Sequence, residues 1–430
     1  MLVECQFENF FSFKEKNTFS MEPASKNGTN LNVFSTDLKK IPELFKTAGV
    51  FGPNASGKTN FCKIFAFLQM FLRKSHMNGL DHKMPYTTYA LRTENGDSYP
   101  QEIIIKFIVK QSLYEYMLKF QDNKILEEYL YFYPISKTAS GRKNTLFKRI
   151  YQHPKYILEK GDGILQTWSD ETIYTRSFLS EIVNNRNCQI AEVLDAYNWL
   201  THSFKIIDNK VITEGFSLKK IADGKGEKII ELIKKADLGL ENIKVQELPP
   251  EKIIQALREQ EPEQAENYIK KLGNGKHYFL APVSYHKRED GSLKEFDFDK
   301  NESTGTKSFL TLCGPFLEAL EKGETILVDE IDMALHPHLM KYLISLFNNS
   351  THNHSNAQLI FTSHAYYLMD GKSLTRDQIW LTSKELNKGF FSDLYSLADM
   401  KELKRKNAQF YEAYMNGVYG AIPHLENFYD

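Results

Sequence analysis

Cysteine is scarce in this sequence and its few copies are scattered. Cys5, Cys62, Cys188 and Cys313 form no CxxC pair. That spacing supports neither a structural zinc site nor a disulfide framework, and it leads us to expect a reducing, cytoplasmic setting. Long apolar runs are missing too: none approaches the ~18–20 residues a membrane helix needs. The opening stretch MLVECQFENFFSF carries Glu4 and Glu8 and has no basic region ahead of an apolar one, so we expect no secretory leader. Charge of one sign is absent as well. A net charge of −1 excludes a protein that coats DNA through bulk electrostatics. Nucleic-acid contact would have to come from local clusters such as Arg142-Lys143, Lys148-Arg149 or Lys404-Arg405-Lys406, each of which reads equally as a solvated surface patch. The sequence has no internal repeat and no long heptad array, which argues against a coiled-coil protein that bridges DNA at a distance.

What is present is an ordinary globular composition, 42% hydrophobic and 25% charged, in a length sufficient for two or three substructures. Residues 47–51, TAGVF, read as a short apolar strand. After a glycine-rich turn comes an amphipathic helix with Phe61, Ile64, Phe65, Leu68, Phe71 and Leu72 at helical spacing. From Glu102 to Tyr133 the segments EIIIKFIVK, YEYMLKF and ILEEYLYFY predict a small antiparallel sheet. The Ser, Gly and Lys of 134–142 mark a candidate boundary, and 165–275 reads mainly as helices, including a charged one at 251–271. Strand signals return at 277–285 and 294–298. The last third then alternates helix and strand, as a parallel α/β sheet would.

Gly52-Pro53-Asn54-Ala55-Ser56-Gly57-Lys58-Thr59 matches GxxxxGK[ST] in full, between a strand and a helix. Such a turn wraps backbone N–H groups around phosphates, and the helix N-terminus adds its dipole. Lys58 is expected to reach the β- and γ-phosphates of ATP, and Thr59 to offer its hydroxyl to Mg²⁺. Asn60 follows as the last candidate for contact with the nucleotide. Far along the chain, the apolar run Thr325–Val328 ends in two acids. Asp329 would lie next to the metal held by Thr59, and Glu330 would polarise the attacking water. A third apolar strand, Gln358–Thr362, leads through Ser363 into His364, whose imidazole could bond both phosphate and water.

Between these lies Glu302-Ser303-Thr304-Gly305-Thr306-Lys307, before a helix with Phe309, Leu312, Cys313, Phe316, Leu317 and Leu320 on one face. Hydroxyls and a glycine at a helix start make either a second anion site or simply a good N-cap. A second γ-phosphate site in one chain implies a pocket shared between two copies of it. His336, Pro337 and His338, with His352 and His354, raise the idea of a metal cluster; Pro337 in a first helical turn is the plainer reading.

The order phosphate loop, Ser303 segment, DE strand and histidine strand resembles ABC-type ATPase heads. More narrowly, FENFFSFK, GPNASGKTN, KADLGLENIKV, ESTGTKSFLTLCGPFLEALEKGETILVDEIDMALHPHL, NAQLIFTSHAYYLMD, RDQIWLTSKELNKG and YMNGVYGAIP resemble the RloA/AbiLi abortive-infection group, relatives of the OLD, RecF and SMC heads. The resemblance spans nearly the whole chain and is weakest over 135–230. It implies an α/β fold, with one ABC-type ATPase head built from 1–135 and 277–430 around a mostly helical insertion of 136–276. It makes Ser303 and Gly305 the signature residues, acting in trans across an ATP-bridged homodimer or larger homo-oligomer. Met333–His336 becomes the D-loop, and Gln101 the candidate Q-loop glutamine. Thr304 stands at the signature's usual first glycine, Phe11 where relatives often carry a basic residue, and Asn407 where an acid is expected. The resemblance also implies Mg-dependent ATP hydrolysis with Lys58, Glu330 and His364 as catalytic residues, in a defence system that controls a separate, nuclease-like effector. A DNA-repair or recombination ATPase similar to RecF is the alternative. A nuclease acting alone would need a carboxylate-rich domain after the head, and no second acidic cluster is found in the roughly 70 residues after His364.

Overall fold

The computed structural model describes residues 1–24, 32–85, 87–91, 99–134, 142–160, 163–208, 215–248, 254, 279–384, 390–400 and 410–423. The chain divides into two compact units. The first comprises Met1–Asp208, Ala319–Asp332 and Lys341–Asp430, and the second Asn209–Glu318 and Met333–Met340.

The first unit holds two large sheets. In the six-stranded one the order is Phe204–Asp208, Thr325–Asp329, Gln358–Thr362, Thr47–Phe51, Ile379–Lys384, Ser392–Ser396. All neighbours are parallel except the last pair. Thr47–Phe51, Thr325–Asp329 and Gln358–Thr362 are buried at every position. That explains their unbroken apolar runs, since a parallel strand covered on both faces has no solvent side to make polar. The second sheet is antiparallel and seven-stranded, in the order Lys155–Lys160, Asn144–Gln152, Lys124–Tyr133, Ser112–Gln121, Gln101–Val109, Leu2–Glu8, Asn17–Ser20.

Helix Lys58–Lys74 joins the two sheets through its aromatic side chains. Phe61 lies 6.2 Å from Phe7 and 5.1 Å from Phe19, both on the antiparallel sheet. Phe67 stacks on Phe120 of the same sheet at 5.4 Å, while Phe65 stacks at 5.1 Å on Phe204 of the parallel one. Each such ring contributes roughly 1.5–3 kcal/mol by leaving water, so the helix that carries Lys58 is firmly seated. Gln358 adds a polar link: its Nε2 donates to Leu2 O at 3.0 Å, and its Oε1 accepts Leu2 N–H at 2.6 Å.

Where the sequence leads us to expect a mainly helical insertion from 136 onward, Asn144–Gln152 and Lys155–Lys160 are two further strands of the antiparallel sheet. The pattern misleads because Arg149, in the middle of a strand, is fully buried. It stands opposite Glu128 on the neighbouring strand. Arg149 donates to the carbonyls of Ser169 and Thr172, at the end of helix Gly163–Glu171. Glu128 accepts the N–H groups of Phe178 at 2.6 Å and Leu179 at 3.0 Å, at the start of helix Phe178–Asn184. A cation at a helix C-terminus and an anion at an N-terminus both match the helix dipole. Lys148 beside it pairs with Glu159 at 2.8 Å. The Lys148-Arg149 cluster is thus structural; Lys404–Lys406, Asn407 and, apart from residue 254, the charged stretch 251–271 lie outside the described residues.

The second unit has a three-stranded antiparallel sheet of Asn242–Leu248, Phe279–Lys287 and Leu293–Asp297, with helices Gly215–Ala222, Glu227–Lys235 and Phe298–Asn301. It also contains most of helix Thr304–Lys322, which carries Pro315 internally. Just before that proline, the Ser217 hydroxyl enters the helix ladder. It accepts Gly314 N–H at 3.0 Å and donates to Leu310 O at 2.5 Å. Only glycine fits at 314, because a Cβ there would lie 2.6 Å from Ser217 Oγ. Among the described residues no helix is long and apolar enough to cross a membrane.

Candidate nucleotide-binding site

The loop between Thr47–Phe51 and Lys58–Lys74 is shaped by its neighbours as well as by its own glycines. Gly52 has φ 151° and Gly57 φ 122°. A Cβ at Gly52 would lie 2.3 Å from Thr382 O, and one at Gly57 2.6 Å from Ser392 Oγ. Ser56 Oγ and Thr382 Oγ1 are 2.6 Å apart, Asn60 Nδ2 donates to Ser12 Oγ at 2.8 Å, and Ser392 Oγ donates to the same hydroxyl at 2.8 Å. Asn54 and Ala55 are exposed at the loop's tip. The Lys58 ammonium is buried and donates to Gly52 O at 2.7 Å and Pro53 O at 2.9 Å.

The two acids meet this loop through residues that sequence reasoning did not single out. Cys62 Sγ lies 3.7 Å from Asp329 Oδ1. Cys62 is three residues after Thr59, so both occupy one face of the helix, and Asp329 sits beside its first turns. Thr362 Oγ1 donates to Asp329 Oδ1 at 2.5 Å and accepts Glu330 N–H at 2.8 Å. One threonine therefore fastens both acids. Glu330 leaves the strand with φ 51°, a left-handed conformation unusual for a non-glycine residue. His364 donates its backbone N–H to the Asp332 carboxylate, 3.2 Å to Oδ2. Two residues on, Tyr366 donates its hydroxyl to Gly52 O at 3.0 Å. Burial raises the Tyr366 pKa, so the phenol stays a neutral donor.

This donor set fits a magnesium ion. A hydroxyl (Thr59) and one carboxylate (Asp329) are what Mg²⁺ takes from a protein when phosphates and waters supply the rest. Asp329 has its Oδ1 tied down by Thr362 and Cys62, and its Oδ2 accepts no bond from the described residues.

Residues 48–370 match the family described as "AAA domain, putative AbiEii toxin, Type IV TA system". The chain belongs to that family. As a member of this AAA family it has the α/β fold of a P-loop ATPase head, with the phosphate-loop, DE and histidine strands side by side. Among solved structures it is similar to the SMC head domain from Thermotoga maritima, at 11% identity and TM-score 0.41, covering 92% of this chain and 98% of that one. No curated protein matches the sequence.

Other candidates of this AAA-family chain find different surroundings. Gln101 is buried, with its side-chain amide bonded to Thr87 Oγ1 at 2.9 Å. Ser303 and Gly305 belong to the second unit. Exposed Ser303 caps its helix, accepting Thr306 N–H at 3.1 Å. Gly305 is packed so that a Cβ would lie 2.8 Å from the carbonyl oxygen of Ala334, in the expected D-loop. The preceding Glu302 is held by Ser284 Oγ at 2.6 Å and His286 Nε2 at 2.7 Å. Pro337 opens helix Pro337–Asn348, and the His336 and His338 rings stack at 5.4 Å. Among the described residues no three His, Cys, Asp or Glu side chains group as a metal cage.

Proposed function

We propose that this chain binds Mg-ATP at Gly52–Thr59, with Asn60 adjoining, and hydrolyses it to ADP and phosphate. The observation that carries the reading is the Thr362 hydroxyl, which anchors Asp329 and Glu330 together beside the helix that Lys58 opens. Lys58 neutralises the β- and γ-phosphates. Glu330 takes a proton from the attacking water, and His364 holds that water and the γ-phosphate in line. Bound at Thr59 and Asp329, Mg²⁺ supplies charge neutralisation of the triphosphate. Ser303 and Gly305 of a second copy complete the site, so that ATP bridges two heads; the hydroxyl and N–H groups at that helix start are suited to an anion.

The biological role we infer is that of a cytoplasmic sensor or regulator in an anti-phage system of the RloA/AbiLi kind, controlling a separate nuclease-like effector. Its support is the set of shared sequence stretches. A RecF-like DNA-repair role is the less favoured reading, because the net charge is −1 and the Lys148-Arg149 patch is tied up in the fold.

Phosphate release from ATP by the purified chain, with and without Mg²⁺, tests the activity. The parent should turn over ATP only with the metal, and Lys58→Ala should lose ATP binding. Equal nucleotide affinity in the parent and in Lys58→Ala would remove the phosphate-loop assignment.

A further inference from the structure

We propose that Asp332 is a positioning residue that sets the spacing between Glu330 and His364, an inference that rests on the ATPase reading above. Strand Thr325–Asp329 ends at Asp329, yet its pairing with Gln358–Thr362 is carried further by individual hydrogen bonds. The Thr362 hydroxyl accepts Glu330 N–H at 2.8 Å, and Thr362 O accepts Ile331 N–H at 3.1 Å. The Asp332 carboxylate then accepts His364 N–H, 3.3 Å to Oδ1 and 3.2 Å to Oδ2. The first two links stop at Thr362. Asp332, two residues after Glu330, carries the connection on to His364 itself.

The flanks of the histidine turn are fastened on the other side, to the phosphate-loop strand and loop. Ser363 N–H donates to Val50 O at 3.1 Å, and the Tyr366 hydroxyl donates to Gly52 O at 3.0 Å. Within the turn, Ala365 N–H bonds Ser363 Oγ at 2.9 Å and Tyr366 N–H bonds His364 O at 2.9 Å. The turn is thus tied to the phosphate loop by its two ends and to the acidic segment by the N–H of His364. Asp332 and His364 are both half-buried, so water can take the place of the carboxylate if it is removed. Such a water satisfies the N–H and leaves the fold intact. It is not attached to the segment that carries Glu330, so the spacing between the two residues is lost, and in-line attack depends on that spacing.

Asp332→Ala should lower kcat on the order of 10- to 100-fold, while KM for ATP and the nucleotide-free Tm stay close to the parent's. Asp332→Asn keeps an acceptor oxygen without the charge and should recover most of the rate. If the Asn variant is as slow as the Ala variant, Asp332 acts through its charge and the inference falls. A cycle with His364 isolates the route. Asp332→Ala combined with His364→Ala should be no slower than His364→Ala alone. A double variant slowed by the product of the two single effects would overturn the inference, as would a His364→Ala variant of parental rate. A fall in Tm or a rise in KM that accounts for the lost rate would make Asp332 a structural residue and overturn it too. A last measurement needs no nucleotide. The His364 amide should exchange with deuterium faster in Asp332→Ala than in the parent or in Asp332→Asn, and equal exchange in all three would overturn the inference even if ATP is hydrolysed. A parent that does not hydrolyse ATP would overturn the proposed function instead, and the exchange measurement would still decide whether Asp332 holds His364.

Discussion

The hydroxyl of Thr362 donates to the carboxylate of Asp329 at 2.5 Å, and the same oxygen accepts the N–H of the next residue, Glu330, at 2.8 Å. A strand neighbour thus sets the direction of both acids: it fixes one carboxylate oxygen of Asp329 and the backbone turn from which Glu330 departs. Thr362→Val keeps the shape of the side chain and deletes the hydroxyl. Outer-shell partners of this kind are worth roughly 10–100-fold in metal affinity or activity. We expect kcat to fall within that range and the Mg²⁺ requirement to rise, with Thr362→Ser restoring both. Steady-state kinetics across a magnesium titration would show it; parental kcat and magnesium dependence in Thr362→Val would sink the idea.

Glu330→Gln retains size and hydrogen bonding but removes the proposed base. Loss of a general base costs about 10²–10⁴-fold in rate. Turnover should drop by that order while ATP still binds, so equilibrium binding and phosphate release must separate in this variant. Hydrolysis at the parental rate would mean that another group takes the proton.

Mixing two inactive variants examines the shared site. A Lys58→Ala copy lacks a usable phosphate loop but keeps Ser303, and a Ser303→Arg copy has the opposite defect. On the proposed shared site, a heterodimer of the two would have one complete site and one doubly damaged site, so partial ATPase recovery is expected in the mixture alone. No recovery, once subunit exchange is demonstrated, would count against a site built by two copies.

Arg149 offers a test of stability against nucleic-acid contact. It is fully buried, with Glu128 opposite and the Ser169 and Thr172 carbonyls as acceptors. Arg149→Leu leaves the Ser169 and Thr172 carbonyls at one helix end without their donor. A hydrogen bond from a charged donor is worth roughly 1.5–3 kcal/mol, so losing both costs about 3–6 kcal/mol. Chemical denaturation should reveal a loss of that order. A variant of parental stability that had lost affinity for DNA would reverse the assignment and revive the basic patch as a nucleic-acid contact.

The phosphate loop, the DE strand and the histidine strand were legible in the sequence because each is a local object. A loop's grip on phosphate depends on six or seven consecutive backbone conformations, and a doubly covered parallel strand must be apolar from end to end. The order of these elements along the chain also points to a P-loop ATPase. The sequence could not show which residues hold the acids and the phosphate loop. Thr362 reaches Asp329 across 33 positions and Tyr366 reaches Gly52 across 314. Nothing in TSHAYY distinguishes a hydroxyl that serves a distant carboxylate from one that faces water. The strands at 144–160 stayed hidden for the same reason. A charged residue in mid-strand reads as surface, and only strand pairing, which sets Glu128 across from Arg149, together with two helix ends of opposite polarity, makes its burial possible. Local chemistry is written in adjacent residues. Desolvated charge and shared hydrogen-bond acceptors depend on what the fold brings alongside, and those the tertiary structure alone decided.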